Sequence, residues 1–195
     1  MNKIDINAQD NQKKTILHYA CESDNLELVK YLIPLDIDIN AKDYEEKTIL
    51  HYLCKNGYLE LVKHISNIPE ANFDVQDEYK RTLLHEACYS GNVELVKFLV
   101  ETGKIDIQAK DKHEQTLLHE SYDNMQVLQY LISLKVLDVN AKDNKGNTIF
   151  LKAAIYANAN EINYLISIPE VDIAAQNDNE ENALHFLIKN DNFTL

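Results

Sequence analysis

Two short stripes of apolar residues alternate along the chain, and they are most regular in RTLLHEACYSGNVELVKFLVETG, residues 81–103. The first half of this stretch places apolar residues at helical spacing: Leu83, Leu84, Ala87 and Cys88. Thr82 is a suitable N-cap, and Gly91 interrupts the pattern before it resumes with Val93, Val96, Leu99 and Val100. The stretch therefore predicts a helix–turn–helix unit. Two helices this short cannot bury their apolar faces alone, so the unit must stack on neighbours.

The same unit recurs along the chain. Its opening motif starts at residues 15, 48, 82, 116, 148 and 182, in the forms TILHYAC, TILHYLC, TLLHEAC, TLLHESY, TIFLKAA and NALHFLI. An extended turn such as DINAKD or DVNAKD precedes the openings. A fixed period of this length with two helices per unit is typical of a repeat solenoid. We therefore predict a single array over residues 1–195 with no internal domain boundary.

The T-x-L-H-x-A-C opening, a second helix of the ELVKYLI type and the D-I-N-A-K-D link together resemble the ankyrin repeat. The resemblance extends from Ile4 to Leu195. It implies an all-α ankyrin-repeat solenoid of about six stacked helix pairs with finger-like turns, the last pair truncated after its first helix. It also implies that one imidazole per repeat ties the opening turn to its own Thr and to the neighbouring finger backbone: His18, His51, His85, His119 and His185.

Several copies depart from the family pattern. Glycine occupies the finger tip only at Gly146, and we expect strained turns where other residues take that position: Lys13, Glu46, Lys80 and Glu114. The fourth copy is two residues short before Met125, which predicts a tighter turn between its helices. Leu151 replaces the usual His in the fifth copy, and we expect that copy to be the least regular.

Composition and charge narrow the classes of partner. The chain has no run of about 18 apolar residues and no recognisable leader peptide, so we expect an intracellular protein, cytoplasmic or nuclear. A net charge of −13 argues against nucleic acid or an anionic membrane as the main partner. The acidic surface serves solubility, or it attracts a basic protein.

The sequence offers no catalytic, cofactor or metal motif. Cys21, Cys54 and Cys88 occupy equivalent repeat positions, and stacked helices lie about 8 to 10 Å apart, whereas a disulfide needs Cα atoms about 4.4 to 6.8 Å apart. We therefore predict three buried, reduced thiols and no zinc site. An enzyme is kept as an alternative, to be tested by a deep cleft with converging titratable groups.

The face of each first helix that points away from its second helix should line a groove beside the finger tips. In the family that this chain resembles, these positions contact the partner. Exposed tyrosines among charged residues are typical of binding surfaces. The candidate partner-binding residues are Tyr44, Glu45, Tyr52, Lys55, Glu78, Tyr79, Arg81, Glu86, Tyr89, Lys112, His113 and Glu120.

Three hypotheses about function follow from the sequence. The first is a non-catalytic scaffold that binds a protein or peptide, with a partner that bears Lys or Arg. The second is a structural spacer of a larger ankyrin protein with no groove ligand, and the third is the enzyme. Neither end of the chain shows a polar capping repeat, which predicts either continuation of a longer array or end-to-end self-association.

Overall fold

The computed structural model describes residues 5–35 and 37–190. The described residues form eleven α-helices and no β-strand. The helices are α1 Ile16–Glu22, α2 Leu26–Leu32, α3 Ile49–Lys55, α4 Leu59–Ser66, α5 Leu83–Ser90, α6 Val93–Glu101, α7 Leu117–Glu120, α8 Met125–Ser133, α9 Ile149–Ile155, α10 Ala159–Ile166 and α11 Ala183–Lys189. The predicted all-α repeat fold is confirmed. The predicted truncation after α11 falls on residues 191–195, which lie outside the described range.

The chain divides into two compact units, Met1–Asp106 with α1 to α6 and Ile107–Leu195 with α7 to α11. Odd-numbered helices are the first helices of the repeats, and each of α1 to α10 pairs with the other helix of its own repeat. Neighbouring repeats within a unit meet mainly through first helices: α1 with α3, α3 with α5, α7 with α9 and α9 with α11. None of the helices in the described ranges has the length and apolarity needed to span a bilayer.

The core follows the repeat. The second residue after each opening Thr is buried in the first five repeats: Leu17, Leu50, Leu84, Leu118 and Phe150. The three cysteines are buried and none forms a disulfide, as predicted. Burial raises the pKa of the Cys21 thiol to about 12, which makes it a poor nucleophile at neutral pH.

Each first helix opens with a contact between Thr and His. The backbone N–H of Thr15 donates to His18 Nδ1 at 3.2 Å, and Thr48, Thr82 and Thr116 repeat this bond. Because Nδ1 accepts this hydrogen bond, it carries no proton. The proton of the neutral ring therefore lies on Nε2. His18 Nε2 then donates to the carbonyl of Lys47 at 3.2 Å, and the same bond joins His119 to Asn147 at 2.9 Å. The role implied for the imidazoles is confirmed at these two positions.

An aspartate organises each of the first five finger turns, and Asn177 takes its place in the sixth. Asp43 Oδ1 accepts hydrogen bonds from the backbone N–H groups of Glu45 and Lys47, both at 2.9 Å. The five other finger turns repeat this arrangement: Asp10–Lys14, Asp77–Arg81, Asp111–Gln115, Asp143–Asn147 and Asn177–Glu181. Adjacent turns are joined by backbone bonds, such as that from Tyr44 N–H to the Gln12 carbonyl at 2.8 Å.

The finger tips without glycine adopt left-handed backbone angles, which confirms the predicted strain. The angle φ is 58° at Lys13, Glu46 and Lys80, and 59° at Glu114. These angles put the side-chain-bearing residues in a region that glycine occupies without cost.

Two expectations about irregular copies are wrong. In the fourth repeat the missing residues shorten α7 to four residues, and four residues, 121–124, separate it from α8. The deletion therefore shortens the helix and does not tighten the turn. In the fifth repeat α9 and α10 have ordinary lengths, and Thr148 Oγ1 accepts from the N–H of Leu151 at 3.3 Å. This helix therefore opens on the Thr cap without an imidazole.

Candidate functional site

A cleft of about 420 Å³ lies between the first two finger turns and the first helices of the first unit. Four of the residues predicted from the sequence line it: Tyr44, Glu45, Tyr52 and Lys55. Asn11, Gln12, Lys14, Glu22, Asp43 and Lys47 complete the lining. The finger and groove positions of consecutive repeats therefore meet at one surface, as the repeat pattern predicts.

The finger aspartates hold the tyrosines of this surface. The hydroxyl of Tyr52 donates to Asp43 Oδ2 at 2.5 Å, and the hydroxyl of Tyr19 donates to Asp10 Oδ2 at 2.5 Å. The hydrogen bond from Tyr19 is the main cause that lowers the pKa of Asp10. Burial is the main cause that raises the pKa of Tyr52, and the hydrogen bond to Asp43 raises it further. These rings are therefore fixed in place, whereas Tyr44 projects from the finger tip with 72% of its surface exposed.

The charged groups of the cleft balance one another. Lys47 Nζ lies 2.6 Å from Glu45 Oε2, and Lys14 forms an ion pair with Glu22. The lining contains three acids (Glu22, Asp43 and Glu45) and three bases (Lys14, Lys47 and Lys55). The net charge of −13 is therefore carried mainly by other parts of the chain.

The third repeat extends the surface. Tyr79 and Tyr89 are exposed, and the backbone N–H of Glu78 donates to the Glu45 carbonyl at 2.9 Å, which joins this finger turn to the cleft. Two cations flank the ring of Tyr89: Lys55 Nζ and Arg81 Cζ each lie 5.9 Å from the ring centroid. A hydrogen bond to the exposed carboxylate of Glu78 is the main cause that raises the pKa of Tyr79.

Two predicted contact residues, Glu86 and Glu120, are buried and do not present carboxylates at the surface. Glu86 is 2% exposed and Glu120 is 8% exposed. Glu86 Oε1 lies 3.7 Å from Arg81 Nε, while its Oε2 has no hydrogen-bond partner. Helical periodicity gives the direction in which a side chain leaves the helix, but not whether neighbouring turns cover it. These two side chains are therefore too deeply buried to act as the predicted partner contacts.

The second unit contains a larger cleft, of about 820 Å³. Of the candidates, His113 lines it, and Lys112 is exposed beside it in the same finger turn. The rest of the lining consists of Gln115, Asp143, Asn144, Lys145, Asn147, Lys152, Ile155, Tyr156, Asn177, Asp178, Asn179, Glu181 and Phe186. The criterion of clustered tyrosines missed this cleft. Equivalent positions in the repeat do indicate this cleft. Lys152 and Phe186 lie four residues after their repeat openings, as Tyr52 does, and Ile155 lies seven residues after its opening, as Lys55 does.

In residues 5–35 and 37–190, no group of three or more His, Cys, Asp and Glu side chains is arranged to hold a metal ion. The lining of the larger cleft contains no Ser, Thr or Cys that could serve as a nucleophile. Both clefts present aromatic rings, amides and charges of both signs, which suit contacts with a polypeptide.

The family model described as ankyrin repeats (three copies) matches residues 1–77 and 50–143. The chain belongs to the ankyrin-repeat family. Ankyrin repeats generally mediate protein–protein interactions, and ankyrin-repeat domains are typically non-catalytic. No curated protein matches the chain.

Proposed function

We propose that this ankyrin-repeat protein is a non-catalytic scaffold that binds a segment of a partner protein across the groove face of its first three repeats. The observation that supports the proposal is the run of exposed and partly exposed aromatic and charged residues on the finger tips and first helices. This groove surface comprises Tyr44, Glu45, Tyr52, Lys55, Glu78, Tyr79, Arg81 and Tyr89.

The tyrosines would supply most of the binding free energy. Tyrosine offers a large apolar area with few rotatable bonds, so that little entropy is lost when it is buried in an interface. The hydrogen bond from Tyr52 to Asp43 already orders one ring in the unbound protein. Ordering before binding reduces the cost of association.

We propose that the partner segment bears Lys or Arg. The net charge of −13 would attract a basic segment at long range and speed its encounter. Because acids and bases balance within the cleft itself, short-range specificity would depend on packing against Tyr44, Tyr79 and Tyr89, where cationic side chains can lie over the rings.

The experiment is capture of partners by proximity labelling and pull-down, followed by titration of the purified partner segment. Tyr79→Ala combined with Tyr89→Ala should weaken binding about tenfold or more. The matched control is Tyr31→Ala, because Tyr31 is an exposed tyrosine on a second helix, α2. An acidic partner, or equal binding by the double variant and the parent, would refute the groove assignment.

The structural spacer remains the second function to be tested. It predicts that no partner shows saturable binding to either unit. Titration therefore separates the two functions, because the scaffold requires saturation and sensitivity to the tyrosine substitutions.

A further inference from the structure

The third finger turn differs from the other four aspartate turns in what its carboxylate binds. In those four turns a nearby side chain donates to the second carboxylate oxygen: Tyr19 to Asp10 and Tyr52 to Asp43, both at 2.5 Å, Gln115 to Asp111 at 3.0 Å, and Asn147 to Asp143 at 3.4 Å. Asp77 is 4% exposed, and its buried Oδ2 has no hydrogen-bond partner among the described residues. This difference singles out the third turn.

Glu86 occupies the helix position from which the tyrosines donate. It lies four residues after its repeat opening, as Tyr19 and Tyr52 do, but an ionised carboxylate accepts hydrogen bonds and donates none. Glu86 Oε2 is also buried and has no hydrogen-bond partner in the described part of the chain, while Oε1 lies 3.7 Å from Arg81 Nε. The third repeat therefore places two buried carboxyl groups at the positions that a hydrogen bond joins in the first two repeats.

A single proton satisfies both carboxyl groups. A protonated Glu86 can donate to Asp77 Oδ2, as the hydroxyl of Tyr52 donates to Asp43. Where two carboxyl groups share a buried site, their titrations are coupled and one of them keeps its proton to higher pH. Burial is the main cause that raises the pKa of both Asp77 and Glu86, and the charge of Asp77 raises the pKa of Glu86 further.

The remaining charged groups around Glu86 in the first unit act against proton uptake without reversing it. Three cations lower the pKa of Glu86, although burial keeps it raised: Arg81, Lys47 and Lys55. On the neighbouring helix α3, burial raises the pKa of the Cys54 thiol and lowers the pKa of His51 to about 4, so both stay neutral in mild acid. The buried residues of α6 are all apolar: Leu95, Val96 and Leu99.

Arg81 connects this buried pair to the groove surface. Its guanidinium lies between the carboxylate of Glu86 and the exposed ring of Tyr89, with Cζ 5.9 Å from the ring centroid. Arg81 and Tyr89 both belong to the groove surface. When Glu86 is neutral, it no longer offsets the charge of Arg81, and the third repeat becomes more positive by one unit of charge.

We propose that Glu86 and Asp77 form a proton switch beneath the groove surface. In mild acid Glu86 takes up one proton from solvent and donates it in a hydrogen bond to Asp77 Oδ2. Arg81 then moves from Glu86 towards solvent and changes its contact with Tyr89. The switch itself needs no partner. One consequence rests on the proposed function: a groove surface with added positive charge binds a basic segment less tightly in mild acid.

Carboxyl ¹³C NMR of the protein, labelled in its Glu and Asp side chains, measures the switch between about pH 8 and about pH 4. The Glu86 signal, assigned by its loss in Glu86→Gln, should titrate above the ordinary value of about 4.3 for Glu. The Nε signal of Arg81 and the ring signals of Tyr89 should shift with the same midpoint. Circular dichroism at each pH verifies that the protein stays folded.

Three variants separate the switch from other titrations. Glu86→Gln should abolish the joint shift of Arg81 and Tyr89, and it retains every histidine, so that it also subtracts their response. Glu60→Gln is the matched control, because it makes the same change at an exposed residue of α4 and should titrate like the parent. Asp77→Asn should lower the midpoint of Glu86, since it removes a charge that raises the pKa of Glu86. Asn177 shows that an asparagine can hold a finger turn.

Two outcomes would overturn the switch. One is a Glu86 signal that titrates at or below about 4.3. The other is a pair of Arg81 and Tyr89 signals that shift alike in Glu86→Gln and in the parent. Neither outcome bears on whether the groove surface binds a partner. Conversely, failure to find a partner would leave the titration of Glu86 unchanged, so the two proposals fail separately.

Discussion

Asp43 accepts a hydrogen bond of 2.5 Å from the hydroxyl of Tyr52, across the boundary between a finger turn and the first helix that follows it. The same carboxylate holds its own turn through two backbone N–H groups. One aspartate thus determines both the shape of the finger and the position of a groove tyrosine. The structure of the turn and the geometry of the candidate binding surface are therefore linked.

Tyr52→Phe should destabilise the protein, because it leaves Asp43 Oδ2 without its donor at a half-buried site. A lost hydrogen bond to a charged acceptor costs about 1 to 3 kcal/mol. Urea unfolding monitored by circular dichroism measures the change. Tyr44→Phe is the control, since Tyr44 is 72% exposed and should lose almost nothing. Equal stability of Tyr52→Phe and the parent would show that water replaces the hydroxyl.

Glu86 occupies in the third repeat the helix position that Tyr52 occupies in the second. An ionised Glu cannot donate a proton to the finger aspartate, and Asp77 Oδ2 is correspondingly buried without a partner. Burial raises the pKa of both carboxyl groups, and the charge of Asp77 contributes to the rise at Glu86. The fold therefore favours neutral over ionised Glu86, relative to the unfolded chain.

Glu86→Gln should accordingly stabilise the protein at pH 7.5, by roughly 1 kcal/mol, because it removes a buried charge and supplies an amide donor. The free energy of unfolding from urea titration is the measurement. Glu60→Gln, on an exposed surface, is the control and should change stability by less than about 0.5 kcal/mol. The gain should shrink as the pH is lowered and Glu86 itself becomes neutral. A destabilised variant would mean that the ion pair with Arg81 outweighs the burial of the charge.

The repeat period predicts the helix pairs because cap, apolar stripe and finger aspartate all recur together and reinforce one another. Every first helix accordingly starts one residue after its predicted opening, as α5 does after Thr82. The burial of Glu86 and Glu120 could not be predicted, since it depends on packing against residues distant in sequence. Likewise, nothing in the spacing of Tyr122 and Met125 showed whether the deletion would shorten the helix or the turn.

Acid should weaken the fold through its buried imidazoles. Burial lowers the pKa of His18, His51 and His119, to about 4 at His51. Their contribution is fully present above the unfolded pKa of about 6.5 and is lost as the pH falls from there towards the folded value. Each imidazole can contribute up to about 1.4 kcal/mol per pH unit in that window.

The variant His51→Leu isolates one of these contributions, because Leu151 fills the equivalent position in the fifth repeat with no exposed surface. Unfolding free energies at pH 7.5, 6.0 and 5.0 should fall less steeply with acid for the variant than for the parent. Glu86→Gln as a common background removes the opposing titration of Glu86. Identical pH slopes with and without His51 would contradict the assignment, whatever the stability at pH 7.5.

Gly146 and Lys80 occupy equivalent finger tips and should respond to substitution with opposite signs. At Gly146, φ is +75°, and an added Cβ atom would lie 2.7 Å from the backbone nitrogen of Asp178. That backbone N–H donates to the Lys145 carbonyl at 3.0 Å and so joins the two finger turns. Gly146→Ala therefore forces the two finger turns apart and should destabilise the protein by more than about 1 kcal/mol.

At Lys80, φ is already 58°, so Lys80→Gly removes the cost of a side chain in the left-handed region. That cost of about 1 to 2 kcal/mol slightly exceeds the entropy that glycine loses on folding, about 0.5 to 1 kcal/mol, and a small net gain in stability follows. Thermal melts of the two single variants and of the parent make the comparison. If Lys80→Gly melts below the parent, the strain at the finger tips is smaller than the backbone angles indicate. If Gly146→Ala melts with the parent, adjacent turns separate without cost, and the backbone bond between them contributes little to holding repeats together.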